Sequence, residues 1–131
     1  MTETGQEPPH RRKRAIREHA DKYASKRRSW IRRTNYFHDS DTQYMRFLVR
    51  ENARVLDIGC GPGDLLAALK PSHGVGVDIS PGMVDSACES YPELTFVKGD
   101  IESPEVIKGL GDEPFDFIIL SDTIGVLDDI Q

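Results

Sequence analysis

Val55-Leu56-Asp57-Ile58-Gly59-Cys60-Gly61-Pro62-Gly63-Asp64-Leu65-Leu66 is the stretch that decides the fold. An apolar run ends in three glycines at alternate positions, and a helical pattern follows. Glycine permits positive φ and carries no Cβ to hold a ligand off the backbone. In an open α/β sheet, ligands bind beyond the carboxyl ends of the strands, at the switch point beside the first strand. The stretch therefore predicts a buried strand, a tight turn and a place for a nucleotide-like ligand.

Three further apolar runs repeat the pattern. The four cover 54–58, 74–78, 94–97 and 115–120, and their starts lie 20, 20 and 21 residues apart. Helix candidates fill the gaps at Asp64–Lys70, Pro81–Ser90 and Pro104–Leu110. Ser80 before Pro81 is a good N-cap with proline in the first helical position. Strands alternating with short helices predict βαβ units with right-handed crossovers. The fold class is thus α/β, a doubly wound, mostly parallel sheet, with about four strands in view.

The ligand follows from charge. A dinucleotide fingerprint, G-x-G-x-x-G, would place Asp64 at its third glycine, and a carboxylate there would repel a pyrophosphate. Asp57 adds a second carboxylate inside the mouth. A phosphate-free cation suits this arrangement, and S-adenosylmethionine carries a sulfonium and an ammonium. Asp78, 21 residues after Asp57, has two acceptor oxygens for ribose hydroxyls; this feature alone does not separate S-adenosylmethionine from NAD. Asp100 can accept from an adenine amine with Ile101 against the ring, and Met83 can pack on the other face as a polarisable side chain.

These runs resemble class I S-adenosylmethionine-dependent methyltransferases. Residues 55–63 look like the first motif of that family, residues 76–83 like its acidic-loop motif, Gly99-Asp100-Ile101 like its adenine-contacting motif and residues 115–121 like its fourth-strand motif. The match covers about residues 53–128 in order and spacing. It implies that Gly59, Gly61 and Gly63 lie against the cofactor, that Asp57 holds its methionine end, that Asp78 binds the ribose and that Asp100 with Ile101 frames the adenine. The candidate cofactor-binding set is Asp57, Gly59, Cys60, Gly61, Gly63, Asp78, Ile79, Met83, Asp100, Ile101 and Ser121. Ser121-Asp122-Thr123-Ile124 carries no Asn/Asp-Pro-Pro-Tyr/Phe motif, so the resemblance falls in the small-molecule branch. The expected products are S-adenosylhomocysteine and a methylated O, N or C nucleophile. No catalytic base is assigned. Asp122, Asp128 and Asp129 are candidates to face substrate.

The net charge of −5 hides an asymmetry. Residues 1–50 carry 13 Lys/Arg against 6 Asp/Glu, and residues 51–131 carry 4 against 16. This divides the chain into a basic N-terminal helical cap, 1–50, and a cofactor-binding domain, 51–131. Arg11 to Arg33 has no Gly or Pro and reads as helix, with Ile16, Ala20, Tyr23 and Ile31 on one face. Asn35–Asp39 reads as a break, Ser40 and Gln43 as a capping box, and Tyr44, Phe47 and Leu48 as the apolar stripe of a second helix. Tyr23, Trp30, Tyr36 and Phe37 are candidate lid residues over the site. The cluster Arg11-Arg12-Lys13-Arg14 reads as a solvated face or an attractor of phosphates.

Cys60 reads as a small turn residue rather than a nucleophile, and Cys88 as a helix residue packing on the sheet. His10, His19, His38 and His73 form no metal-ligand pattern. No apolar stretch nears the ~20 residues of a membrane helix, and no secretory h-region is visible, so the expected location is the cytoplasm. The expected partner is a small-molecule substrate, with nucleic acid less favoured and self-association through the fourth-strand edge open. A family fold of seven strands would need ~60 more residues at this pitch, so the chain reads as the N-terminal part of a longer enzyme. Two other readings stay open: an NAD- or other nucleotide-binding Rossmann enzyme, and a non-catalytic module binding a partner or RNA through its basic helices.

Overall fold

The structure is a computed structural model that describes residues 9–33 and 35–121. Its elements in chain order are helix α1 (Pro9–Arg33), helix α2 (Asn35–Leu48), strand β1 (Arg54–Ile58), helix α3 (Asp64–Ala68), strand β2 (His73–Asp78), helix α4 (Pro81–Ser90), strand β3 (Thr95–Lys98), helix α5 (Pro104–Gly109) and strand β4 (Phe117–Ile119). All pairings are parallel, in the order β3-β2-β1-β4. The chain steps outward from β1 to β3, then returns to pair β4 on the other edge of β1. The gap between β1 and β4 is thus the switch point at which such sheets bind ligands. Leu56 stands level with Val75 on β2 and Ile118 on β4.

Side chains alternate across the sheet, and two clusters result. Val55, Ile119, Phe96 and Phe117 meet Leu66 and Leu69 from the α3 side and Met45 and Val49 from the end of α2. Leu56, Val75 and Val77 face the other way, against Val97, Ile101, Val106, Leu110 and Phe115. Gly76 falls on the first face where Cys60 and Phe96 crowd it: an added Cβ would lie 2.8 Å from both the Cys60 Sγ and the Phe96 Cδ1. Arg54 fixes the return strand. Its N–H donates to the Asp116 carboxylate at 2.8 Å, its Nε donates to the Pro114 carbonyl at 3.2 Å, and its guanidinium sits 5.7 Å from the Phe115 ring centre.

The 20-residue pitch corresponds to the observed β/α alternation. β1 and α4 have the expected bounds, and Ser80 caps α4 by accepting from the Met83 N–H. Three readings are corrected. Asn35–Asp39 is the first turn and more of α2, so Ser40 lies inside that helix rather than capping it. With no Gly or Pro between 35 and 48, the modest cost of Asn, Asp and Ser in a helix does not stop it. The face of α2 that docks is marked by Met45 and Val49, four apart, whereas Tyr44, Phe47 and Leu48 are 63%, 85% and 49% exposed. Cys88 is exposed rather than packed on the sheet. The side chains of Tyr23, Trp30, Tyr36 and Phe37, and residues 122–131 with Asp122, Asp128 and Asp129, lie outside the described residues. Among the described residues no helix is long and apolar enough to cross a membrane.

Gly76→Ala is expected to cost about 1–3 kcal/mol by overpacking. Gly109→Ala, where an added Cβ meets nothing within 4 Å, is expected to be neutral or stabilising by up to ~1 kcal/mol. Urea denaturation of the two variants checks the contrast; equal stabilities would refute this account of the sheet face.

Candidate functional site

β1 delivers Asp57 to the carboxyl edge of the sheet, and the chain turns at once into the glycine loop. The N–H groups of Gly59 and Cys60 both donate to the Val77 carbonyl, at 2.7 and 3.1 Å. The turn is thereby fastened to the end of β2. Gly61 has φ +55°, an added Cβ there would meet nothing within 4 Å, and its backbone faces open space. Gly63 has φ +84°, but its missing Cβ leaves room for Phe96 (2.8 Å) and Tyr91 (3.3 Å). The two glycines serve different ends: Gly61 keeps the approach to the backbone clear, and Gly63 lets the loop settle on two aromatic rings. The Asp64 carboxylate accepts from the Tyr91 hydroxyl.

Two carboxylates close the mouth. Asp57 is 2% exposed. Burial, and then the negative charge of Asp78, push its carboxyl up from 3.8 to about 7. A charged carboxylate there is costly without a cation beside it. Asp78 is half-buried at the end of β2. Its Oδ2 accepts from the Gly61 N–H and its Oδ1 from the Ser80 N–H, both at 2.9 Å. An ionised carboxylate is purely an acceptor, with more than one lone-pair direction on each oxygen. Burial, Asp78 and Asp57 also hold the Cys60 thiol well above its ordinary range, so it stays protonated. Its thiol packs beside Gly76.

The loops after β2 and β3 form the other side of the site. Ile79, Pro81, Gly99 and Asp100 line a cavity of about 460 Å³ whose opposite wall is Lys13, Arg14 and Arg17 of α1, with Lys98 at its rim. Asp100 accepts from the Glu102 N–H at 3.0 Å through Oδ1 and from the Lys13 ammonium at 2.5 Å through Oδ2. Lys13 also donates to Glu102. Partial burial works against the Lys13 ammonium, but hydrogen bonds to Asp100 and Glu102 outweigh it and its pKa lies above the ordinary value. Asp21, two turns further along α1, accepts from the Ser80 hydroxyl at 2.5 Å and the Gly82 N–H at 2.7 Å.

The structure brings Asp57, Gly59, Gly61, Asp78, Ile79 and Asp100 to one edge of the sheet. Met83 is buried in the first turn of α4, and Ile101 packs on the sheet beside Leu56. Ser121 is exposed just after β4. Asp21 is the contributor that the sequence did not single out, and Lys13, read there within a solvated or phosphate-attracting cluster, is paired with Asp100 and Glu102. An acidic residue inside a basic helix, next to Ala20 of the apolar face, was the signal for Asp21. Among the described residues no group of three His, Cys, Asp or Glu side chains could hold a metal ion.

A family model described as a methyltransferase domain matches residues 55–131. Trans-aconitate 2-methyltransferase of Methylobacterium nodulans is 44% identical over 55 residues, covering 39% of this chain and 21% of that protein. A TehB-like SAM-dependent methyltransferase structure from Corynebacterium glutamicum superimposes with a TM-score of 0.60 at 23% identity, over 86% of this chain and 60% of that one. The Trypanosoma brucei PRMT1 enzyme-prozyme complex with AdoHcy gives a TM-score of 0.50 at 27% identity, over 59% of this chain and 26% of that one. The chain thus spans about a fifth of the length of the curated relative.

Asp57 makes a pH prediction. Its folded pKa lies above its unfolded one, so its contribution to stability is complete below about pH 4 and is lost as pH rises through about 7. It is expected to make the ligand-free protein less stable at pH 8 than at pH 5 by roughly 2–3 kcal/mol. Asp57→Asn is expected to flatten that slope and to raise the melting temperature at pH 8. Thermal unfolding of both proteins across pH 5–8 checks this, and identical slopes would refute it.

Proposed function

The chain belongs to the methyltransferase domain family, and from that premise we propose that it holds S-adenosylmethionine and serves transfer of the methyl group to an O, N or C nucleophile of a small molecule. The carrying observation is the glycine loop fastened to Asp78 with Asp57 buried beside it. A phosphate would face two carboxylates there, whereas a cation lets Asp57 ionise at neutral pH. The open space at Gly61 leaves room for a ligand against the backbone. The relative that acts on trans-aconitate supports a small polar acceptor.

Bound, the cofactor supplies an electrophilic methyl on a sulfonium. The protein's own residues do the rest. Asp57 supplies negative charge at the cationic end. Asp78, held by Gly61 and Ser80, is the acceptor for ribose hydroxyls. Asp100 accepts from the adenine amine, with Ile101 against the ring and Ile79 lining the same cavity. α1 lines this side with Lys13, Arg14 and Arg17. With the charges met and the ring held, the task left to the protein is to place the acceptor in line with the departing sulfur.

One observation favours a phosphate-bearing nucleotide such as NAD: Lys13, Arg14, Arg17 and Lys98 around the cavity. Asp64 is engaged by Tyr91, so the charge argument against a pyrophosphate rests on Asp57 and Asp78. The proposal includes a cytoplasmic location, supported by two cysteines that are both free. It also includes association of copies along the outer edge of β4, where Ile118 is 57% exposed.

Calorimetric titration with S-adenosylhomocysteine and with NAD decides between the ligands. Selective binding of S-adenosylhomocysteine is expected, and tighter binding of NAD would overturn the reading. Asp78→Ala is expected to weaken S-adenosylhomocysteine by about 10- to 100-fold, as loss of hydrogen bonds to a charged acceptor does. Unchanged affinity would refute the ribose assignment.

A further inference from the structure

We infer that Asp21, on α1 and outside the segment that the family model matches, is a positioning residue for the carboxylate of Asp78. The inference rests on the reading of Asp78 as the ribose acceptor. Asp21 Oδ1 accepts from the Ser80 hydroxyl at 2.5 Å and the Gly82 N–H at 2.7 Å. Ser80 is fully buried. Its oxygen accepts from the Met83 N–H at 3.2 Å while its proton goes to Asp21, so its rotamer is held from both sides. The Ser80 N–H donates to Asp78 Oδ1, and Asp78 Oδ2 takes the Gly61 N–H. A continuous run of hydrogen bonds therefore joins α1 to the glycine loop through Asp78.

The approach of α1 is built for this contact. A Cβ on Gly82 would lie 3.0 Å from Asp21 Oδ1 and 3.4 Å from the Ala24 Cβ. Glycine at this position gives the helix its close approach without any shift of Asp21, and Ala24 is buried at the crossing. In the cap of α4 the Ser80 hydroxyl takes the Met83 N–H and the Asp21 carboxylate takes the Gly82 N–H. What Asp21 adds is a fixed orientation for the Ser80 hydroxyl and the Gly82 amide. The loop that carries Asp78 is thereby held in one pose. A negative charge at this helix start is also favoured by the helix dipole.

The test measures S-adenosylhomocysteine binding by calorimetry in the full chain and in the variants Asp21→Ala, Asp21→Asn, Asp78→Ala and the Asp21→Ala/Asp78→Ala double variant. Asp21→Ala is expected to weaken binding about 5- to 10-fold, and Asp21→Asn, whose amide oxygen still accepts, to stay within about 3-fold of the wild type. In the Asp78→Ala background, Asp21→Ala is expected to cost nothing more, because coupled residues are not additive. An Asp21→Ala protein that binds like the wild type would overturn the inference. So would the same loss with and without Asp78. Amide hydrogen exchange of the ligand-free proteins supplies a reading that needs no ligand. Faster exchange at Gly61 and Ser80 in Asp21→Ala, but not in Asp21→Asn, is expected, and unchanged exchange would overturn the inference. A wild-type chain that fails to bind S-adenosylhomocysteine would instead remove the functional reading and leave the exchange result to judge Asp21. Asp21→Ser serves the same comparison should the alanine variant not fold.

Discussion

The carboxylate of Asp78 holds the site together. It takes one N–H from the glycine loop after β1 and one from the loop after β2. Two segments already joined through the Val77 carbonyl also share this side-chain acceptor. The arrangement has a cost, because a negative charge now stands beside buried Asp57 and pushes that carboxyl toward neutrality. The fold thus keeps a destabilised charge at its functional edge, a common compromise between stability and function. A cationic ligand would relieve the strain of both carboxylates at once.

Much of the fold was legible because its signals are local. The repeat of apolar runs every 20 or 21 residues follows from short crossovers, and Ser80-Pro81 marks a helix start by chemistry that acts within three residues. The start of α2 was not legible. Asn35, Asp39 and Ser40 look like loop residues, yet propensity is a weak preference that packing overrides. Met45 and Val49 dock on the α3 side of the sheet and select the face that Tyr44 and Phe47 would have suggested was outward-turned in error.

The site divides in the same way. Asp57, Gly61 and Asp78 belong to turns whose chemistry is contained in a few residues. Lys13 and Asp21 act on partners 87 and 59 residues away. Their roles depend on how α1 crosses α4, which no short pattern records. Gly63 was legible as a required glycine, and the structure adds a reason that the sequence did not hold, the room its missing Cβ leaves for Phe96 and Tyr91. The charge asymmetry also acquires a physical meaning. Part of the basic helix answers the acidic body directly, with Lys13 set between Asp100 and Glu102.

The strand order has a consequence for synthesis on the ribosome. β1, β2 and β3 pair in sequence, each with a neighbour about 20 residues away, so this half of the sheet can assemble as it emerges. The other edge of β1 waits for a partner that begins 62 residues later, at the Arg54–Asp116 contact. Until that segment leaves the exit tunnel, β1 presents unpaired backbone groups to whatever is nearby. The two Arg54 hydrogen bonds and its contact with the Phe115 ring then join the arriving segment to β1.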